Sequence, residues 1–289
     1  ELGTTKDPFE YTLTLKEKFE IKFIFVPHET ELDAKAIGKV IKEFDPDMVC
    51  PEITGYNERI IKKWGKVISK DIELRDFWIW FRGGYIGFPE FYEQLFKSLY
   101  DSKKPIYFVD VPDYDYTTYY KRDIENSRKI LEKALGEFKY GNVENSIECM
   151  REYLELFSEV EREREDEIVK NISRIPEDLI ERYPEFEEKD EVKLLVVFDE
   201  PHASVPYKFE EKEIPEIRFD SKESELLFRF INEINKEEVN DGEILRALLE
   251  RVFYNRLGDI ENKREIACEI VNKIDDDEIS SFLNSLKTA

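Results

Sequence analysis

Histidine is almost missing from this chain: His28 and His202 are the only two in 289 residues. Chemistry that needs an imidazole must use one or both of them. Cysteine is nearly as scarce. Cys50, Cys149 and Cys268 are odd in number, widely spaced and without any CxxC pair, which argues against a disulfide framework or a cysteine-type zinc site. Such usage suits a reducing, cytoplasmic setting. No apolar run approaches the length of a membrane span, and no signal-peptide pattern is present. The phosphate loop, the dinucleotide fingerprint and the GxSxG nucleophile elbow are all lacking. Positive charge is in deficit: the net charge is −23, and no long Lys/Arg run interrupts it. Such a field repels nucleic acid. Glutamine occurs once, at Gln94, against abundant Glu, Lys and Ile, a balance typical of hyperthermophile proteins.

What is present is enough apolar residue for a substantial core, 41% of the chain. Its organisation reads as a mixed α/β fold with a mainly parallel central sheet flanked by helices. Tyr11–Leu15 and Glu20–Val26 read as two strands forming a hairpin. Thr30-Glu31-Leu32-Asp33 resembles an N-terminal capping arrangement, with Asp in place of the usual Glu or Gln. Leu32, Ala36, Ile37, Val40, Ile41 and Phe44 follow at helical spacing, and Asp45-Pro46-Asp47 breaks that helix. Met48-Val49-Cys50 begins another strand. Pro105–Val111 and Leu194–Phe198 read as two more, and Ile214–Phe219 as a further short one. Long helices are expected over 121–138 and 143–173. Residues 1–220 would form the α/β core, and 221–289 an acidic helical C-terminal extension suited to a protein partner or a homo-oligomer.

The two histidines share a context. Phe25-Val26-Pro27-His28 and Asp199-Glu200-Pro201-His202 each follow a β-branched and aromatic run. Proline removes a ladder donor, so each strand should end there. In open parallel α/β sheets, ligands bind outside the carboxyl ends of the strands. Imidazole is a common metal ligand and a general base near neutrality. Glu52 follows the Met48–Cys50 strand, and the strand–helix–strand unit aims it at the same edge as His28. Asp110 ends the Pro105–Val111 run there too.

On the helix over 143–173 the apolar stripe Ile147, Met150, Leu154, Phe157 and Val160 continues to Ile168 and Ile172. It passes through Arg164, with Asn171 close to the same face. An inward arginine needs a carboxylate partner such as Glu52; the other reading is a side chain that snorkels round the helix. The belt from Phe77 to Tyr92 packs a core or lines a groove, with Trp80 and Arg82 the residues that would meet a substrate.

Four stretches together resemble the TraB/PrgY–Tiki superfamily, which includes erythromycin-esterase-like and ChaN-like proteins. They are Phe25-Val26-Pro27-His28, Val49-Cys50-Pro51-Glu52, the run Arg164 to Asn171, and Asp199-Glu200-Pro201-His202. They stand in the family's order of GxxH, glutamate, an Arg-Asp-x-x-Met-Ala-x-Asn-like helix and a second GxxH, and span about residues 21 to 202. Phe25 and Asp199 replace the motif glycines, and Ile168-Val169 replaces Met-Ala. The resemblance implies a charged cleft in a mixed α/β core. Tiki-like members cleave peptides with a divalent metal, erythromycin-esterase-like members use histidine as base, and ChaN-like members bind haem iron. By that likeness His28, His202 and Glu52 would hold Mn²⁺, Co²⁺ or Zn²⁺ for hydrolysis of a peptide or ester. Glu29 or Glu200 would act as base, and Arg164 would orient Glu52 or stabilise an oxyanion. Without a metal, one histidine would activate water directly. Asp110, Asn171, Trp80 and Arg82 would contact a peptide or small-molecule substrate. The other expectation is a non-catalytic protein that binds a ligand, peptide or partner in the same cleft, which the lost glycines favour.

Overall fold

The structure is a computed structural model that describes residues 9–28, 30–56, 58–83, 89–258, 260 and 263–286. It is a mixed α/β protein, as expected. In chain order the elements begin with β1 (Phe9–Leu15), β2 (Phe19–Phe25), α1 (Glu31–Phe44), β3 (Met48–Pro51) and α2 (Glu58–Ile68). Next come α3 (Leu74–Arg82), α4 (Pro89–Asp101), the single turn α5 (Asp113–Asp115), α6 (Lys121–Lys139) and α7 (Val143–Arg182). Then follow β4 (Val192–Phe198), α8 (Val205–Phe209), α9 (Lys222–Ile231), α10 (Asp241–Arg256), α11 (Lys263–Asn272) and α12 (Asp276–Leu286). No described helix is long and apolar enough to cross a membrane.

Two compact units divide these elements. One holds residues 1–116 and 164–213, the other 117–163 and 214–289. The sequence suggested a single boundary near residue 220. The division follows the apolar stripe of α7 instead: Ile147, Met150 and Leu154 share a core with Leu226, Ile244 and Leu248 of α9 and α10. Helices 117–163 therefore belong with the C-terminal helices.

The first unit contains the sheet, in the order β1-β2-β4-β3. β1 is antiparallel to β2, while β4 runs parallel to both of its neighbours. The hairpin β1–β2 was legible because the two runs are separated only by the polar Lys16-Glu17-Lys18. Alternate residues point to opposite faces. Ile24, Val49, Leu195 and Val197 pack with α1 to α4, in a core that includes Ile37, Ile41, Trp64, Phe77, Phe81, Phe91 and Phe96. The other alternates, Ile21, Phe23, Leu194, Val196 and Cys50, are equally buried. Burial on both faces is what parallel sheets require, and it explains the near-continuous apolar runs of β2 and β4.

α1 starts as its sequence demanded. Thr30 accepts from the Asp33 N–H, and the Asp33 carboxylate accepts from the Thr30 N–H, so Asp completes the capping box. Asp45 closes the helix in the left-handed region. Gly38 matters on its exposed-to-α4 side: a Cβ there would lie 2.7 Å from Ser98 Oγ.

Two expected strands do not form. Pro105–Val111 runs beside β3, but only through the Val49 and Ile106 bridge, with Val49 donating to Pro105 and Tyr107 donating to Val49. β3 is four residues long, so it offers little ladder to pair with. Ile214–Phe219 has no strand partner and is irregular. Its β-branched residues are half-exposed and interrupted by Pro215, which removes a donor.

Candidate functional site

The topology places three adjacent strand ends together. β4 lies between β2 and β3, and all three point the same way. Phe25 is level with Phe198, and Pro51 with Val197. His28, His202 and Glu52 follow these positions by one to four residues. The convergence expected from the sequence is therefore present, and Asp110 and Arg164 join it.

Arg164 is the hub. It is 4% exposed, on α7, and points inward as the stripe required. Its Nη2 donates to Glu52 Oε1 at 2.6 Å and to Asp110 Oδ2 at 2.7 Å, while Nε donates to Asp110 Oδ1 at 2.9 Å. Nη1 lies 3.4 Å from His202 Nε2. The fork of the guanidinium thus grips Asp110 with two donors, the geometry arginine does best. Asp110 also accepts from Thr54 Oγ1 and from the Val111 N–H. Asn171 donates to the carbonyls of Val109 and Asp110, fixing the segment that carries the acid.

Glu52 accepts the Asp199 N–H at 2.7 Å, and Tyr92 Oη donates to its backbone carbonyl at 2.6 Å. Burial works to raise the Glu52 pKa, but the charges of Arg164 and His202, the His28 ring and the Asp199 N–H bring it down to about 2. Glu52 is therefore ionised. His202 is buried among acids. Its Nδ1 donates to Glu165 Oε1 at 2.9 Å, and Nε2 lies 3.6 Å from Glu52 Oε1. Burial opposes its charge, yet Glu52 and Glu165 outweigh burial and raise its pKa to about 9. His202 is an imidazolium at neutral pH.

Glu165 was missed in the sequence. It is fully buried and also accepts from Ser204 Oγ and Lys208 Nζ. Burial would raise its pKa, but His202 and Lys208 hold it below the usual carboxylate value. The signal was available: Glu165 stands three residues before Ile168 and eleven after Leu154, on the same stripe as Arg164.

His28 differs from His202. It is 5% exposed, stacked on Phe91 at 4.5 Å with Tyr92 at its edge. Its Nδ1 lies 3.7 Å from Glu52 Oε2, and its Nε2 is buried without a hydrogen-bond partner among the described residues.

The remaining expected residues stand elsewhere or outside view. Glu29 lies outside the described residues. Glu200 opens the short turn that ends in His202 and is half-buried; it is Asp199, not Glu200, whose N–H reaches Glu52. Trp80 packs against the aromatic core with Lys63 Nζ over its ring. Arg82 is exposed at the end of α3.

The expected metal ligands do not fit a divalent ion. The space between Glu52, Asp110 and His202 is taken by the Arg164 guanidinium. His202 carries a proton where a ligand needs a lone pair, and its other nitrogen is committed to Glu165. Among the described residues no group of three or more His, Cys, Asp or Glu side chains is disposed to hold a metal. No protein-family profile, curated protein or solved structure matches this chain.

Proposed function

We propose that this cluster is the catalytic centre of a hydrolase that cleaves a peptide or ester bond with histidine-activated water. The observation that carries the reading is His28: a buried ring nitrogen without a hydrogen-bond partner among the described residues, beside an ionised carboxylate. An unsatisfied buried polar atom costs about 1–3 kcal/mol, and such atoms call for a functional explanation.

In this reading His28 Nε2 takes a proton from water as its oxygen adds to the carbonyl carbon. Glu52 stabilises the imidazolium that forms. His202, held as an imidazolium by Glu165, faces the negative charge that develops on the carbonyl oxygen. Arg164 keeps Glu52 ionised and holds Asp110 in place, which makes it a positioning residue. The proton on His28 then passes to the leaving group, and the two products separate. The likeness to erythromycin-esterase-like proteins supports this scheme, since the matching histidine and glutamate stand in the same order.

The test is turnover against a library of peptides and esters. Loss of His28 as general base should lower turnover by about 10²–10⁴-fold. Full turnover by His28→Ala would refute the assignment. Retention of a library member without cleavage by the unaltered protein would favour the binding reading, for which Phe25 and Asp199 in place of glycines speak.

A further inference from the structure

We propose that Arg164 is the resident cation of this cluster, filling the position between Glu52, Asp110 and His202 that a divalent ion would otherwise take. Removing its guanidinium uncovers a latent metal site. The inference stands on the geometry of the cluster and does not depend on hydrolysis.

Three donor atoms from three separate chain segments converge on one guanidinium: Glu52 Oε1 at 2.6 Å, Asp110 Oδ2 at 2.7 Å and His202 Nε2 at 3.4 Å. Two carboxylates and an imidazole are a donor set that Mn²⁺, Co²⁺ or Zn²⁺ accepts, once the ion displaces the proton that His202 Nε2 carries while Arg164 is in place. The two oxygens meet at the same nitrogen, Nη2, so a single positive centre already serves both. Metal–oxygen bonds of about 2.0–2.2 Å are shorter than these contacts, and the oxygens would need to close inward by about half an ångström to bind an ion there.

Charge reinforces the point. Arg164, Lys208 and the His202 imidazolium set three cations against the three buried carboxylates Glu52, Asp110 and Glu165, so the cluster is balanced without an ion. A doubly charged ion added to this group would overshoot the balance while displacing a bidentate grip. Arginine is always charged and cannot dissociate from the chain, so the cluster holds its positive charge without an ion supply. The substitution that opens the site is also local: position 164 lies inside a long helix, where alanine is the best-tolerated residue.

The experiment is calorimetric titration of MnCl₂, CoCl₂ and ZnCl₂ into the full chain after chelator treatment, with thermal unfolding alongside. The unaltered protein and Arg164→Lys should show no uptake that Glu52→Gln removes, and no rise in unfolding midpoint. Arg164→Ala should take up one ion per chain, recover unfolding temperature on binding, and lose both responses when Glu52→Gln is added. One ion bound by the unaltered protein and lost in Glu52→Gln would overturn the proposal. So would a folded Arg164→Ala that binds no more than the parent. If Arg164→Ala folds only when Mn²⁺ is supplied, the latent site is supported. If it folds under neither condition, Arg164→Gln and Arg164→Met take its place, and a folded one of these that takes up no ion sensitive to Glu52→Gln overturns the proposal. All readouts are ion binding and unfolding, so absence of turnover leaves the result intact.

Discussion

Raising the pH should destabilise this protein by unloading one proton from His202. The folded pKa is raised to about 9 against an ordinary value of 6.5, through Glu52 and Glu165 acting against burial. A raised folded pKa contributes stability that is fully present below pH 6.5 and is lost as pH climbs through 9. At about 1.4 kcal/mol for each pH unit of that window, the proton contributes about 3 kcal/mol. That is a large share of the roughly 5–15 kcal/mol that holds an ordinary domain. Urea unfolding at constant ionic strength between pH 6 and pH 9 measures it. The parent should lose about 3 kcal/mol across the series, and His202→Gln should lose clearly less. Cys50 also acts at the alkaline end: burial pushes its thiol up to about 12 from 9.0, so an unfolded chain gains by ionising it. That contribution is common to both proteins and cancels in their difference. Identical slopes for the parent and His202→Gln would refute the reasoning.

Arg164→Met should destabilise by about 3–5 kcal/mol, the cost of leaving buried charge unpaired, with the loss smaller at pH 5 than at pH 8 because protonation then relieves the facing acids. A loss under about 1 kcal/mol in urea unfolding would mean the pair behaves as an exposed one. Glu165→Gln should lower the His202 pKa, since the hydrogen-bonded anion is gone. With two histidines in the chain, the imidazole proton resonances of the parent and variant report this directly. His28→Phe keeps a ring against Phe91 and removes a nitrogen without a partner among the described residues, so it should cost less than about 1 kcal/mol of stability while lowering turnover by about 10²–10⁴-fold; a large loss in unfolding free energy would show that the nitrogen has a structural partner.

Much of the site could be read from the sequence because strand ends announce themselves. Pro27, Pro51 and Pro201 mark three of them, and a residue with a functional side chain follows each. The inward aim of Arg164 was visible only as an exception in an apolar stripe, with Glu52 as the expected kind of partner; it takes Glu52 and Asp110 together. Glu165 sat on the same stripe, hidden among neighbouring charges that face outward. What periodicity could not supply was spacing in three dimensions. Two histidines in matching contexts look alike in sequence, yet one lies between acids and the other against an aromatic ring, and that difference separates their chemistry. The strand expected over Pro105–Val111 failed for the same reason: its composition suits a strand, but β3 is too short to build a ladder with it. The units divided as they did because one continuous helix serves two cores, which no local signal reveals.

One of the two inner strands of the sheet, β4, is the last of the four to be synthesised. β4 joins β2 to β3, and neither of those pairs with the other. A ribosome that has finished β3 must add some 140 residues before β4 emerges, roughly ten seconds of translation. During that interval β2 and β3 carry open edges and apolar faces with nothing between them. Nascent chains that stall before residue 192 lack the keystone of the sheet.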